Sequence, residues 1–270
     1  MPMQAHAGFP SSLVHGALAG SGARRGGGLR VLGISGLQGS GKSTLAAQVV
    51  EAAAGAGLRA ASLSLDDVYL TAARRQALAR EVHPLLATRG PPGTHDLPLA
   101  LATIDALRDG GTPALPRFDK LGDDRLPLEA WPVPPGPLDL LVVEGWCLAV
   151  PAEEAPALDE PLNALEREED PDGTWRRWCN ASLRVDYPPL WARIDALWFL
   201  QPPDFDIVGT WRWQQEQALE RAQPGRRGMD RAGLERFIQH YERISRQALR
   251  TLPALADRTI VLDAARIPAG

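Results

Sequence analysis

The sequence is poor in cysteine, with only Cys147 and Cys179 among its 270 residues. Two cysteines are too few for the disulfide framework that stabilises small secreted domains. This scarcity indicates a reducing compartment, and we therefore expect a cytoplasmic protein.

Long apolar runs are also missing. The longest, residues 138–150, is interrupted by Asp139 and Glu144, whereas a membrane-spanning helix needs about 20 consecutive apolar residues. The first 28 residues are rich in glycine, alanine and serine, and their apolar patch at Leu13 and Val14 is too short for a secretory signal. We therefore expect no membrane partner, a flexible N-terminal tail over residues 1–28, and a single domain over residues 29–270.

The chain lacks an excess of positive charge. Its formal net charge is −4 and its sequence pI is about 5.8, and it contains no basic run, so the charge pattern argues against a nucleic-acid partner.

Lysine is scarce as well, because the 29 basic residues comprise 27 arginines and only Lys42 and Lys120. A chain with this bias is expected to keep lysine where a compact, flexible ammonium group is required. Lys42 fits that description from its motif, whereas Lys120 either has a comparable task or is retained by chance.

The most informative segment that is present runs from residue 29 to residue 44. A short apolar strand leads into Gly36-Leu-Gln-Gly-Ser-Gly-Lys42-Ser43, which matches the G-x-x-x-x-G-K-[ST] phosphate-binding motif, and a helical pattern follows. In this motif the backbone N–H groups surround phosphate oxygens, the lysine contacts the β- and γ-phosphates, and the serine hydroxyl binds Mg²⁺. The predicted nucleotide-binding residues are Gly36, Gln38, Gly39, Ser40, Gly41, Lys42, Ser43 and Thr44.

Strands and helices alternate along the rest of the chain. Apolar segments at residues 58–65, 138–145, 196–200 and 258–262 are typical of buried strands, and helical patterns occur at 71–82, 97–107, 207–221 and 231–249. This alternation predicts an α/β protein with a mainly parallel, doubly wound sheet flanked by helices, in the P-loop NTPase fold, with a helical lid region near the end.

Acidic side chains follow two of the predicted strands. Glu144 comes after four apolar residues, like the acidic residue of a Walker B strand, and Asp66 and Asp67 end the strand at residues 58–65. Ligands bind at the carboxyl ends of parallel strands, so we expect Ser43, Glu144 and Asp66 as candidate Mg²⁺ ligands. One of the two aspartates would also serve as the base that phosphoryl transfer to a hydroxyl requires; alternatively, the pair only caps the helix that follows.

Polar residues cluster on the predicted loops. They suit recognition of a small, hydroxylated, anionic acceptor, although such groups also occur in purely structural turns. The candidate acceptor-binding residues are Arg89, Thr94, His95, Asp96, Arg117, Asp119 and Lys120.

Three arginines near the last two helical segments are candidates for a lid over the transferred phosphoryl group. They are Arg212, which we expect to be catalytic together with Lys42 and Asp66, and Arg226 and Arg227. Solvent-exposed helix faces have the same composition, so this interpretation has a plain alternative.

Five motifs in order resemble one known family: the phosphate-binding loop, Ser64-Leu-Asp-Asp-Val-Tyr-Leu70, Gly93-Thr-His-Asp-Leu97, Leu115-Pro-Arg-Phe-Asp-Lys120 and Val143-Glu-Gly-Trp146. They are similar to those of the D-glycerate 3-kinases, relatives of uridine kinase, phosphoribulokinase and pantothenate kinase. The resemblance implies ATP- and Mg²⁺-dependent phosphorylation of D-glycerate to 3-phosphoglycerate, with Asp66 as the base. Alternatives are a kinase for a nucleoside, a pantothenate-like acid or a sugar phosphate, and a nucleotide-binding regulatory protein without an acceptor. The sequence does not indicate an oligomeric state.

Overall fold

A computed structural model describes residues 8–222 and 229–269. Its centre is a parallel five-stranded sheet in the order β2-β5-β1-β6-β7. A separate antiparallel hairpin pairs β3 with β4. The strands are β1 (Arg30–Gly36), β2 (Ala60–Ser64), β3 (Phe118–Asp119), β4 (Asp124–Arg125), β5 (Leu140–Gly145), β6 (Ala196–Gln201) and β7 (Arg258–Val261).

Helices cover both faces of the sheet, so the predicted doubly wound α/β architecture is confirmed. The α-helices are α1 (Ser11–Gly20), α2 (Lys42–Gly55), α3 (Ala72–Glu81), α4 (Leu97–Arg108), α5 (Ala164–Glu169), α6 (Thr174–Val185), α7 (Pro188–Trp191), α8 (Ile207–Ala222) and α9 (Arg231–Leu255). None of the helices in the described ranges is both long enough and apolar enough to cross a membrane.

The two faces of the sheet bury separate apolar layers because side chains alternate along a strand. In β5, Leu140 and Val142 belong to the layer that contains α1 and α2, whereas Leu141 and Val143 belong to the layer on the other face. All four side chains are at most 2% exposed. A strand buried on both faces has the near-continuous apolar sequence that led to its prediction.

The N-terminal segment differs from the expected flexible tail. Residues 11–20 form α1, and Phe9, Val14 and Ala17 are buried in the same apolar layer as Leu45 and Val49 of α2. The segment is rich in small residues, so its few large apolar side chains gave little periodic signal, yet they suffice to pack this helix onto the domain. Residues 1–7 of the expected tail lie outside the described part of the chain.

Helix α9 is longer than the apolar periodicity indicated. It continues through Leu252, which is fully buried, and includes Pro253 within its last turn. A proline there removes one backbone hydrogen bond near the end of the helix. This long helix runs beside the end of the sheet at which the predicted site residues lie.

Candidate active site

The loop between β1 and α2 has the backbone conformation that its glycines permit. Gly39 and Gly41 adopt φ values of +83° and +92°, which side-chain-bearing residues rarely adopt. A Cβ atom on Gly36 would lie 2.8 Å from Ser40 Oγ, and one on Gly39 would lie 2.6 Å from Trp211 Cβ. The loop is therefore both sharply turned and tightly packed from behind.

Two polar side chains of this loop are buried without a hydrogen-bond partner among the described residues: Gln38, at both amide atoms, and Ser40, at its hydroxyl. Buried polar groups are rarely left unpaired in folded proteins. Together with the turned backbone at the start of a helix, they fit a loop that is completed by a bound phosphate chain. Thr44, the third residue of α2, is exposed.

Lys42 and Ser43 are the first two residues of α2. Lys42 Nζ donates a hydrogen bond to Leu37 O at 3.1 Å, which folds the side chain back over the loop. Burial lowers the pKa of Lys42, and the nearby carboxylates of Glu144 and Asp66 only partly oppose that effect. The ammonium group therefore lies where incoming phosphate oxygens would restore its preference for the charged form.

Ser43 and Glu144 face each other across the ends of two elements. Ser43 Oγ donates to Glu144 Oε1 at 2.8 Å, and Glu144, at the end of β5, is only 7% exposed. A hydroxyl and a carboxylate oxygen are the hard ligands that Mg²⁺ prefers. The described residues include no cluster of three or more His, Cys, Asp or Glu side chains that would hold a metal alone. A magnesium ion would therefore take its remaining ligands from phosphates and water, as is usual for this ion.

Asp66 and Asp67 occupy a 3₁₀ turn (Leu65–Val68) directly after β2, and their side chains point to different partners. Asp66 Oδ1 accepts a hydrogen bond from Tyr69 Oη at 2.6 Å, and its Oδ2 accepts one from Lys120 Nζ at 2.7 Å. Burial alone would raise the pKa of Asp66, but the Lys120 ammonium and these two hydrogen bonds outweigh it and hold the pKa well below its usual value. Asp66 is therefore ionised at neutral pH.

Asp67 instead holds the segment that precedes the hairpin. Its carboxylate accepts a hydrogen bond from Phe118 N at 3.3 Å and pairs with Arg117 at 3.4 Å. Burial raises the pKa of Asp67 although the Arg117 guanidinium opposes the shift. Of the two aspartates, only Asp66 therefore lines the cleft.

Lys120 and Arg89 come from two different loops and meet beside Asp66. Arg89 donates to Lys120 O at 3.1 Å and also pairs with Asp123. Although burial acts in the opposite direction, the Asp66 carboxylate raises the pKa of Lys120. Both side chains line the cleft.

One cleft of about 180 Å³ brings these groups together. Of the predicted site residues, its walls contain Gln38, Gly39, Lys42, Ser43, Asp66, Arg89, Lys120, Glu144 and Arg212. The sequence analysis missed Tyr69, Trp146, Gln215, Phe237 and Tyr241, which also line it. Tyr69 and Trp146 stand next to recognised motif residues, which was an available signal. Phe237 and Tyr241 lie on α9 without any such neighbour.

The Thr94-His95-Asp96 segment lies behind the cleft wall, so its predicted contact with an acceptor is not supported by the geometry. Thr94 Oγ1 accepts from Gly90 N at 2.9 Å and donates to Pro91 O at 2.7 Å, which shapes the loop. His95 Nδ1 lies 2.5 Å from Tyr187 Oη, and burial lowers the pKa of His95 to about 4. Asp96 caps α4 and pairs with Arg125 at 2.8 Å.

Arg117 and Asp119 likewise do not line the cleft. Arg117 pairs with Asp67, as described above, and the Asp119 carboxylate accepts a hydrogen bond from Leu121 N at 2.9 Å within the hairpin turn. Both side chains have local structural partners. A sequence motif shows that such residues lie close to the site but not which of them face it.

Arg212 is the one expected lid arginine that the structure describes, since Arg226 and Arg227 lie outside the described residues. It projects from α8 into the cleft and donates to Gln215 Oε1 at 2.8 Å and to Glu216 Oε1 at 3.3 Å. Its side chain thus lines the same cleft as Lys42.

Comparison with known proteins gives two related sequences. The chain is 31% identical over 253 residues to the chloroplastic D-glycerate 3-kinase of Arabidopsis thaliana. The alignment covers 86% of this chain and 52% of the plant protein. The chain thus spans about half the length of that relative. It is 32% identical over 220 residues to the uncharacterized kinase mug58 of Schizosaccharomyces pombe, which covers 78% of both chains. No protein-family model matches.

A solved structure is also similar over the whole domain. D-glycerate 3-kinase from Cryptococcus neoformans superposes with a TM-score of 0.76 at 27% identity and covers 96% of each chain. The sequence relatives and this structure share the kinase designation. The chain therefore belongs to the family of P-loop kinases that includes the D-glycerate 3-kinase of Arabidopsis thaliana and the kinase mug58 of Schizosaccharomyces pombe.

Proposed function

We propose that the protein is an ATP-dependent phosphotransferase that transfers the γ-phosphoryl group of ATP to the 3-hydroxyl group of D-glycerate and produces 3-phosphoglycerate. The observation that carries this proposal is the convergence of the phosphate-binding loop, the Ser43–Glu144 pair and Asp66 on one cleft. The names of the plant and fungal relatives support D-glycerate as the acceptor.

The nucleotide side of the cleft would hold the phosphate chain of ATP. The loop from Gly36 to Gly41 would donate its N–H groups, and Lys42 would contact the β- and γ-phosphates. Ser43 and Glu144, and Asp66 as a further candidate, would hold Mg²⁺, which supplies charge neutralisation on the phosphates when bound. Arg212 would add positive charge as the β–γ bond breaks.

The proton of the acceptor hydroxyl would pass to Asp66. The acceptor oxygen forms a bond to the γ-phosphorus while the bond between the γ-phosphorus and the β,γ-bridging oxygen breaks. ADP leaves with the electron pair of that bond, and Asp66 takes the proton of the acceptor hydroxyl. Tyr69 would orient the carboxylate through its bond to Oδ1, and Oδ2, which accepts from Lys120 Nζ in the structure, would take the proton. An ionised, oriented carboxylate meets the geometric requirement for a general base.

The acceptor side combines two cations with an aromatic wall. Arg89 and Lys120 suit a carboxylate, whereas Tyr69, Trp146, Phe237 and Tyr241 close the cleft around them. The ring centroids of Trp146 and Tyr241 are 5.0 Å apart in an edge-on arrangement, and Tyr241 Oη donates to Arg89 O at 2.9 Å. Such a compact, charged pocket favours a three-carbon acid over a nucleoside.

The direct test is ADP release by the purified protein with Mg²⁺ and ATP, in the presence of a panel of acceptors. We expect strong stimulation by D-glycerate and little by L-glycerate, glycerol, uridine or pantothenate. Stimulation by another compound of the panel would show that the protein is a kinase with that compound, and not D-glycerate, as its acceptor. ATP hydrolysis that no acceptor changes would instead favour a nucleotide-binding regulatory protein.

The cytoplasmic location stays a prediction, and the plant relative is chloroplastic.

A further inference from the structure

The segment that follows β7 turns back toward the phosphate-binding loop. Leu262 pairs with Pro268, and Asp263 accepts hydrogen bonds at 2.8 Å from the N–H groups of both Ala265 and Ile267. This turn holds Arg266 at φ +65°, a conformation that non-glycine residues seldom adopt. Uncommon backbone conformations of this kind persist where the surrounding structure imposes them.

The Arg266 side chain is buried against the loop, with the residue only 8% exposed. Its Nε donates a hydrogen bond to Gly39 O at 2.6 Å. Its guanidinium carbon lies 4.9 Å from the ring centroid of Trp211, within the range of a cation–π contact. A hydrogen bond from a charged donor such as this one is stronger than a bond between neutral groups.

Trp211 completes the connection. Its side chain is fully buried, its Nε1 donates to Ala264 O at 2.9 Å, and its Cβ occupies the space beside Gly39. Trp211 immediately precedes Arg212, which lines the cleft. The turn after β7 therefore touches both the phosphate-binding loop and the helix that carries the lid arginine.

The bond to Gly39 O fixes the plane of the peptide that joins Gly39 to Ser40. Because a trans peptide directs its carbonyl and its N–H in opposite directions, the bond from Arg266 Nε to Gly39 O and the 3.2 Å bond from Ser40 N to Leu37 O hold this peptide from both sides. The peptide leads directly into Gly41 and the start of α2, whose N–H groups are expected to surround phosphate oxygens. Neither the phosphate-binding motif nor the family resemblance assigns any part in this to Arg266.

We propose that Arg266 is a positioning residue for the nucleotide site. It holds the Gly39–Ser40 peptide in the geometry that binds ATP and, through Trp211, it also holds the part of α8 that carries Arg212. The inference rests on the proposed nucleotide site but not on the identity of the acceptor. It concerns binding of ATP and ADP, and acceptor binding should be unaffected.

The test compares Arg266→Ala and Arg266→Lys with wild type and with Arg258→Ala, a matched control on the exposed part of β7. Calorimetric titration with Mg²⁺-ATP and with ADP, without any acceptor, gives Kd for each protein. A bond from a charged donor is worth about 1.5–3 kcal/mol, so we expect Kd to rise about 10-fold or more in both Arg266 variants. The control should match wild type, and the KM for D-glycerate should stay within about twofold, since Arg89 and Lys120, the proposed acceptor-binding cations, come from other segments of the cleft.

The lysine variant separates positioning from simple charge. Lysine keeps the positive charge but lacks the planar group that can donate to Gly39 O while it stacks on Trp211. Full recovery of nucleotide affinity by Arg266→Lys, or unchanged affinity in Arg266→Ala, would overturn the proposal. If wild type itself binds no nucleotide, the proposed function fails instead.

Thermal unfolding of each variant checks that it is folded. Should Arg266→Ala fail to fold, Trp211→Phe takes its place, because phenylalanine keeps the stacked ring but loses the bond to Ala264 O. We then expect a smaller rise in the Kd for ATP, about threefold to tenfold. Wild-type affinity in the folded Trp211→Phe variant would contradict the coupling between this turn and the lid helix.

Discussion

Asp66 is the residue whose surroundings say most about the chemistry. One carboxylate oxygen is held by Tyr69 and the other by Lys120, and both contacts favour the ionised form. The residue pattern alone left open which of Asp66 and Asp67 serves as the base, whereas the family resemblance implied Asp66. The structure separates them because consecutive side chains in the turn after β2 point to different neighbours.

Replacement of Asp66 by asparagine tests this role with little change in shape. The amide cannot take the proton from the acceptor, so we expect kcat to fall by about 10²–10⁴-fold. The Kd for ATP should change little, because Lys42 and the loop are untouched. Steady-state kinetics and calorimetric titration measure the two quantities, and Asp67→Asn is the matched neighbour. Wild-type turnover in Asp66→Asn would refute the assignment of the base.

Arg75 of α3 connects the segments that carry the acceptor side of the cleft. The residue is 1% exposed and donates to Leu70 O at 2.5 Å, to Ala87 O at 3.2 Å and to the Asp123 carboxylate at 2.6 Å. Asp123 in turn pairs with Arg89. One buried guanidinium thus joins a helix, a loop and the hairpin.

We predict that Arg75→Met loosens these segments together. Methionine fills part of the volume but removes the donor to the backbone oxygens of Leu70, Ala87 and Asp123. It also removes one of the two arginines that pair with the Asp123 carboxylate, so the free energy of unfolding should fall by about 3–5 kcal/mol. The KM for the acceptor should rise while the Kd for ATP stays close to wild type. Urea unfolding and kinetics measure both effects. Arg74→Met, one residue away and exposed, is the control, and an equal loss in that variant would contradict this role for Arg75.

Helix α9 carries a buried histidine whose lowered pKa predicts that stability depends on pH. His240 is 3% exposed, and burial, assisted by Arg236, lowers its pKa to about 4. An unfolded histidine takes up its proton near pH 6.5. Between these two values the unfolded state therefore binds more protons, and stability falls as the pH falls through that range.

A variant at this position should remove part of that dependence. The difference in pKa corresponds to at most about 3 kcal/mol of stability lost between pH 6.5 and 4. His240→Phe should show a shallower decline over this interval than wild type, measured by urea unfolding at several pH values. His15→Phe, at an exposed position of α1, serves as the control. Parallel pH profiles for wild type and His240→Phe would show that this histidine does not titrate as described.

Over the whole molecule, the sequence was most informative where structure follows from short stretches of chain. The buried strands and the phosphate-binding loop were predicted because each is defined by consecutive residues. Other features depend on how distant elements pack. These are the placement of Phe237 and Tyr241 of α9 in the cleft wall and the contact of Arg266 with Gly39, which is 227 residues away along the chain. Likewise, the motifs located Thr94, His95 and Arg117 near the site but could not show that their side chains turn away from it.

Helix α1 illustrates the same point for the domain boundary. Val14 is 5% exposed within the apolar layer shared with α2, so Val14→Asp would place a charge in that layer. We expect it to lower the free energy of unfolding by about 3 kcal/mol or more. His15→Asp introduces the same charge at an exposed neighbour and should have little effect. Equal stabilities for the two variants, measured by urea unfolding, would show that residues 9–20 contribute nothing to the domain.

The most direct measurement of the proposed activity follows the phosphoryl group itself. The protein is incubated with Mg²⁺, ATP labelled at the γ-phosphate and D-glycerate, and the product is identified by chromatography and by phosphorus NMR. We predict that the label appears in 3-phosphoglycerate and that Asp66→Asn forms almost none of it. Label that accumulates only as inorganic phosphate, or on the 2-hydroxyl group of glycerate, would contradict the proposed reaction.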